Sequence, residues 1–187
     1  MRLNACISRS SVAKSMVMLL CASLTLLSSC LGNDDEDYSE WKQQNEKYLA
    51  EMEQKADFTR LSPPWAPDAF VFVKWLNDRS KTAKNLSPLD NSVCNVKYIL
   101  RNIEGDSISS SYKSTAYGDS IYQTRPLNNI IGFWYTLTNM RVGDKVTAVM
   151  PPSAAYGTQK YGDIKPYSVL VYEIELVSIP AYVVPKK

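Results

Sequence analysis

The chain has 187 residues, 45% of them hydrophobic, with 21 Lys and Arg against 19 Asp and Glu. The formal net charge is +2, and it falls to −1 without the three basic residues of the first 29, which leaves no basic-patch case for nucleic acid. The absence of histidine excludes Ser-His and Cys-His catalysis as usually built, and it removes the commonest zinc ligand. Any chemistry must use groups that do not shuttle protons near neutral pH, or no proton transfer at all.

The first 29 residues carry Arg2, Arg9 and Lys14 and no acidic residue. The apolar stretch Met16 to Leu27 is too short for a spanning helix, which needs roughly 20 apolar residues. A basic start, a short apolar core and small residues behind it read as a secretory signal. Leu27-Ser28-Ser29-Cys30 resembles a bacterial lipobox, which implies cleavage before Cys30, its lipidation, and a membrane anchor. An ordinary signal followed by an unrelated cysteine is the alternative. Loss of residues 1–29 removes three basic residues, leaving 18 against 19 acidic ones, so the net charge becomes −1. Cys6 and Cys21 leave with the signal, and Cys94 is then expected to have no disulfide partner and to act as a small core residue.

Residues 30–37 form a lipidated acidic tether ending Asp34-Asp35-Glu36-Asp37. It is a solvated spacer at least, and acidic residues behind a lipidated cysteine also resemble the surface-export signal of Bacteroidetes lipoproteins. An outer-membrane lipoprotein, periplasmic or surface-exposed, is the expected location. Residues 38–55 read as a helix with Asp37-x-x-Glu40 as a candidate capping box. Trp41, Tyr48, Leu49 and Met52 fall on one stripe, which predicts packing on the domain that follows rather than on a partner. Pro63, Pro64 and Pro67 then break the chain, so 38–67 is assigned as helix plus Pro-rich linker and 68–187 as the main domain.

Ala69 to Leu76 is apolar on both faces and reads as a strand inside a sheet. Residues 77–92 are a polar connection. Cys94, Val96, Tyr98 and Leu100 alternate with polar neighbours, as in a half-buried strand. Residues 105–128 read as irregular. Asn129 is a candidate cap for a short helix carrying Ile130, Phe133, Leu137 and Met140 on one face, with Gly143 as its left-handed end. Val146 to Met150 is another short strand. The last strand turns Leu170, Tyr172, Ile174 and Leu176 one way and Glu173 and Glu175 the other. This order suggests an α+β fold with a helix laid on an antiparallel sheet.

Five pieces share one order: Asn129-Ile130-Ile131-Gly132-Phe133, Met140-Arg141-Val142-Gly143, Ala155-Tyr156-Gly157, Ile164-Lys165-Pro166, and Leu170 to Leu176. With Val96-Lys97-Tyr98 and Glu104-Gly105 upstream, residues 90–178 are similar to an FKBP-type peptidyl-prolyl isomerase. The resemblance implies an antiparallel sheet wrapped on one short helix, here with an N-terminal helical extension. It implies no cofactor and no metal, and as partners proline-containing segments of exported proteins. It also implies a proline pocket lined by Tyr98, Ile130, Phe133, Tyr156, Ile164 and Tyr172. Phe133 would be its floor, and the Ile130 N–H and the Tyr156 hydroxyl would hold substrate carbonyls.

Ile108 and Ser109 stand where the family usually has a Phe-Asp pair, with Ile108 taking the aromatic's place in the pocket. Tyr117 and Tyr122 are candidates for a further aromatic wall. Lys165 replaces the first proline of an Ile-Pro-Pro loop. Two further readings stand beside the enzyme: a catalytically weak or silent binding and chaperone lipoprotein of the same fold, which Ile108 and Ser109 favour, and a structural subunit that uses the Trp41 helix as its contact.

Overall fold

The computed structural model describes residues 37–114 and 118–184. The signal, Cys30, the tether up to Glu36, and Tyr117 lie outside the described residues. The chain opens with helix Ser39–Glu53 (α1), then strands Thr59–Leu61 (β1), Val71–Trp75 (β2), Val93–Arg101 (β3) and Ser107–Ser110 (β4). One helical turn, Ser111–Ser114 (α2), leads to strand Tyr122–Thr124 (β5) and helix Ile131–Asn139 (α3). Strands Lys145–Met150 (β6) and Leu170–Ala181 (β7) finish the fold.

The two longest strands follow the period of two that their sequences carry. β3 and β7 pair antiparallel, with Tyr98 opposite Ile174 and Leu100 opposite Tyr172. Cys94, Val96 and Leu100 are thereby buried on the same face as Leu170, Tyr172, Ile174 and Leu176. All pairings are antiparallel, in the order β1-β2-β6-β7-β3-β4, and β5 also pairs with β3. Cys94 is a core residue, its thiol pushed up to about 11 by burial.

Two helices cover opposite faces of the sheet. Phe133 and Leu137 of α3 pack against Val71, Val73, Ala148 and the inward residues of β3 and β7. On the other face Met52, Tyr48 and Leu49 of α1 pack on Phe72, Val149 and Val169. This is why Val71, Phe72 and Val73 are all buried, and it places the α1 stripe on the domain as expected. Burial of a side chain such as Met52 stabilises by about 1.5–3 kcal/mol. Asn45 lies on the same stripe and is buried too. Its carboxamide accepts the Val169 N–H at 2.7 Å and donates to the Trp41 carbonyl at 2.7 Å.

Several local expectations are corrected. The Asp37 carboxylate accepts the Ser39 N–H at 2.9 Å, while α1 has Tyr38 at its N-cap and no side-chain cap, so no capping box forms. Residues 105–128 are not irregular throughout: they hold β4, α2, β5 and a 3-10 turn, Pro126–Asn128. Ile130, not Asn129, is the N-cap of α3. The Asn129 carboxamide instead donates to Thr124 Oγ1 and to the Arg125 carbonyl, at 3.0 and 2.7 Å, tying the end of β5 to the helix entry. Gly143 does have a left-handed backbone, φ +90°, but α3 has already ended at Asn139 and Met140 is extended. Gly143 is the third residue of a tight turn closed by the Asp144 N–H to the Arg141 carbonyl, 2.8 Å, where positive φ favours glycine.

Gly132 sets how near α3 comes to the sheet. A Cβ there would lie 2.8 Å from Met150 Sδ and 3.1 Å from the Ala154 carbonyl oxygen. Behind α3, buried Asp144 gathers the connection 77–92. It accepts from Thr82 Oγ1 at 2.5 Å, Asn77 Nδ2 at 3.1 Å, the Arg141 N–H at 2.9 Å and Arg79 Nε at 3.2 Å. Arg79 also donates to the Asn139 carbonyl, placing its charge at the C-terminal end of α3.

Burial alone would raise the Asp144 carboxyl pKa, but its donors and the Arg79 charge together hold it below the usual range. A depressed folded value means a contribution fully present above the unfolded value of about 4 and lost as pH falls through the folded one. Asp144→Asn is therefore expected to cost about 1.5–3 kcal/mol at pH 7. Denaturant titrations at pH 7 and at pH 2–3 should show the gap to wild type closing in acid.

Candidate active site

At its N-terminal end, α3 lies against β3 and β7 with one open side, leaving a cavity of about 530 Å³. Phe133, 3% exposed, sits at its base. Its ring meets Tyr172 at 5.2 Å and 69° and Tyr98 at 6.3 Å and 85°, both edge-to-face. Tyr98 and Tyr172 are 5.9 Å apart. These edge-on contacts are the favoured ones for ring quadrupoles and fix three aromatic walls at once. Each ring is delivered by regular structure: Tyr98 by β3, Tyr172 by β7 and Phe133 by the first turn of α3.

The remaining expected residues line the same cavity. Ile108 comes from β4, Ile130 from the N-cap of α3, and Tyr156 and Ile164 from the loop between β6 and β7. All seven residues expected from the sequence thus converge on one cavity. As N-cap, Ile130 is extended, φ −56° and ψ 152°, and its carbonyl accepts the Trp134 N–H at 2.9 Å. Its own N–H makes no backbone hydrogen bond among the described residues.

Tyr122 also lines the cavity, at 5.4 Å from the Tyr98 ring, so of the two candidate walls it is the one the described residues include. Ser109 is present as well, its hydroxyl 3.0 Å from the Tyr98 hydroxyl. Sequence reasoning missed Tyr161. This ring is 61% exposed and stacks on Tyr156 at 4.3 Å and 9°. Its only sequence signal is an aromatic five residues beyond Tyr156, and no motif pointed to it.

The walls are apolar or neutral for the most part. Burial, with smaller contributions from neighbouring tyrosines, raises the Tyr156 phenol above its ordinary range and pushes Tyr172 far above it. Both stay protonated near neutral pH, so Tyr156 is a donor there. No hydrogen bond ties the Tyr156 hydroxyl to another described residue. The arrangement can grip a compact apolar ring and offer two donors, one hydroxyl and one backbone N–H, to carbonyl oxygens at the cavity mouth.

Residues 84–177 match the model of the FKBP-type peptidyl-prolyl cis-trans isomerase family. Over 100 residues the chain is 30% identical to the FKBP-type peptidyl-prolyl cis-trans isomerase FkpA of Escherichia coli K12, covering 53% of this chain and 35% of that protein. It is 29% identical over 92 residues to FK506-binding protein 2 of Aspergillus oryzae, 42% of this chain and 69% of that one. The matched stretch thus spans only about a third of FkpA. Among solved structures, Escherichia coli FkpA superposes with a TM-score of 0.65 at 18% identity, covering 96% of this chain and 76% of that one. A peptidyl-prolyl cis-trans isomerase from Pseudomonas syringae pv. tomato gives 0.61 at 23% identity, with coverage of 78% and 97%. At these identities the structural likeness establishes an FKBP-like fold.

Phe133 serves the cavity and the core together. Phe133→Ala is expected to cost about 3–5 kcal/mol, because truncation leaves a void beneath Tyr98 and Tyr172. Chemical denaturation would measure it; a loss under about 1 kcal/mol would contradict the packing described.

Proposed function

The chain belongs to the FKBP-type peptidyl-prolyl cis-trans isomerase family, and from that membership we propose that it speeds cis-trans exchange of X-Pro bonds in exported polypeptides. The observation that carries the proposal is the meeting of Tyr98, Phe133, Tyr156 and Tyr172 with three isoleucines around one cavity. Phe133 is the floor for the proline ring, with Tyr98, Tyr172, Ile108 and Ile164 as walls. The Ile130 N–H and the Tyr156 hydroxyl hold substrate carbonyls.

The uncatalysed barrier, about 18–20 kcal/mol, comes from amide resonance. Exchange takes tens to hundreds of seconds at 25 °C, slow enough to limit folding. The planar amide is the more polar form, so removing it from water into an aromatic cavity lowers the cost of twisting it. Fixed donors hold the flanking carbonyls while the bond turns. No proton is transferred, so a chain without histidine lacks nothing that this chemistry needs.

A second reading, the same fold as a silent binding module, draws on Ile108 and Ser109. An aliphatic side chain and a hydroxyl stand on the wall where the family usually has an aromatic and a carboxylate. We also read the chain as an outer-membrane lipoprotein, facing the periplasm or the cell surface and anchored through Cys30. The support is the basic start, short apolar core and Leu27-Ser28-Ser29-Cys30 of the sequence.

The mature chain should accelerate exchange in a proline peptide. Tyr156→Phe should slow it roughly two- to tenfold, the value of one neutral hydrogen bond, with the thermal midpoint little changed. The double change Ile108→Phe with Ser109→Asp should raise kcat/KM. A wild type without activity, unmoved by that double change, would leave the binding module as the function.

For the anchor, Cys30→Ser should abolish incorporation of labelled palmitate into the protein expressed in its native host. Equal labelling of the variant would end the lipoprotein reading.

A further inference from the structure

The loop from Tyr156 to Val169 brings Tyr156, Tyr161 and Ile164 to the cavity; its strand-like pairing is one isolated bridge, Tyr161 with Ile164, and the Tyr167 N–H closes it on the Gly157 carbonyl at 2.9 Å. It also holds Tyr167 in a left-handed backbone, φ +63°. A non-glycine residue stays there only where its surroundings over-determine it.

Much of that surrounding comes from the first half of α1. Trp41 Nε1 donates to Ser168 Oγ at 3.0 Å, and the Asn45 carboxamide accepts the Val169 N–H at 2.7 Å. The Lys165 ammonium lies 4.8 Å above the Trp41 ring, and the Lys42 ammonium lies 5.2 Å from the Tyr167 ring. The second half of α1 does something different: Tyr48, Leu49 and Met52 pack on the sheet.

The restraint continues past Lys165. Ile164 and Tyr161 exchange both backbone hydrogen bonds, at 2.9 and 3.0 Å, and the Tyr161 ring lies flat on Tyr156. A connected series of contacts therefore runs from Trp41 to the cavity: Lys165, Ile164, Tyr161, Tyr156. We propose that α1 is a positioning element of the cavity, with Trp41 and Lys165 as positioning residues that set Ile164 and, through Tyr161, the Tyr156 ring. Its effect on turnover rests on the isomerase reading; its effect on the wall does not.

The test uses the chain labelled at isoleucine δ1 methyls, with Ile174 in the core as internal control. Lys165→Glu should shift the Ile164 methyl resonance, leave Ile174 in place, and lower kcat/KM for a proline peptide about two- to fivefold, the range an exposed cation over an indole supports. Lys165→Arg keeps a cation over the ring and should restore both readouts. Trp41→Leu, which also removes the bond to Ser168, should act in the same direction at least as strongly, and adding Lys165→Glu to it should bring little more, since the cation–ring contact is then already gone.

If Trp41→Leu unfolds the chain, the two Lys165 variants decide, because that side chain is exposed. An active wild type whose Ile164 methyl and kcat/KM ignore the charge at position 165 overturns the positioning role and leaves the isomerase. An inactive wild type whose Ile164 methyl follows that charge supports the positioning role and removes the isomerase.

Discussion

The approach of α3 to β6 is the constraint on which the rest of the molecule depends. Gly132 occupies a position where a methyl group would lie 2.8 Å from Met150 and 3.1 Å from a backbone carbonyl. The helix can therefore lie close on the sheet, and Phe133, its next residue, is carried down between Tyr98 and Tyr172. Protein interiors pack too tightly to absorb such a methyl without a shift. A shift there would move the floor of the cavity along with the core. Stability and site geometry thus both draw on this close approach.

The covering of both sheet faces follows from how little sheet there is to share. β2 and β6 are short and buried on both sides, so each needs a helix above and a helix below. α3 supplies one and α1 the other. This is why an N-terminal extension packs as part of the domain rather than standing off as a stalk. Its Asn45 bonds a backbone group 124 residues away, a link that secures the start of β7. Burying a carboxamide costs little when both ends of it are bonded.

What could be read in the sequence was what repeats or what matches a motif. The alternation along β3 and β7 and the apolar stripes of α1 and α3 gave the sheet and both helices their correct faces. β1, β4 and β5 carry no alternation of their own. Thr59-Arg60-Leu61, Ser107 to Ser110 and Tyr122-Gln123-Thr124 are strands because a partner strand pairs with them. Asn129 and Gly143 were misassigned for a related reason. The residue types that cap helices also tie loops and make turns, and one-dimensional spacing does not separate these uses. In the site, the seven expected residues came from the family pattern rather than from periodicity. Tyr161 lay outside that pattern, and its stacking on Tyr156 depends on a two-residue reversal at Gly162 and Asp163 that only the folded loop displays.

The wall formed by Ile108 and Ser109 bears most directly on how strong the proposed activity is. Tyr98 is half-buried, and its hydroxyl finds the Ser109 hydroxyl at 3.0 Å. A carboxylate in that place would make a charge-assisted bond, roughly twice as strong, and would put a negative charge beside the substrate. The serine keeps the phenol oriented without that charge. Ile108 likewise keeps the wall apolar but gives up the ring area with which an aromatic would meet a proline. Neither side chain takes part in the ring contacts among Phe133, Tyr98 and Tyr172 or in the stacking of Tyr161 on Tyr156, although Ser109 reaches the first set through the Tyr98 hydroxyl. Their effects should therefore appear in how firmly a substrate is gripped and polarised, with the fold and the cavity floor left as they are.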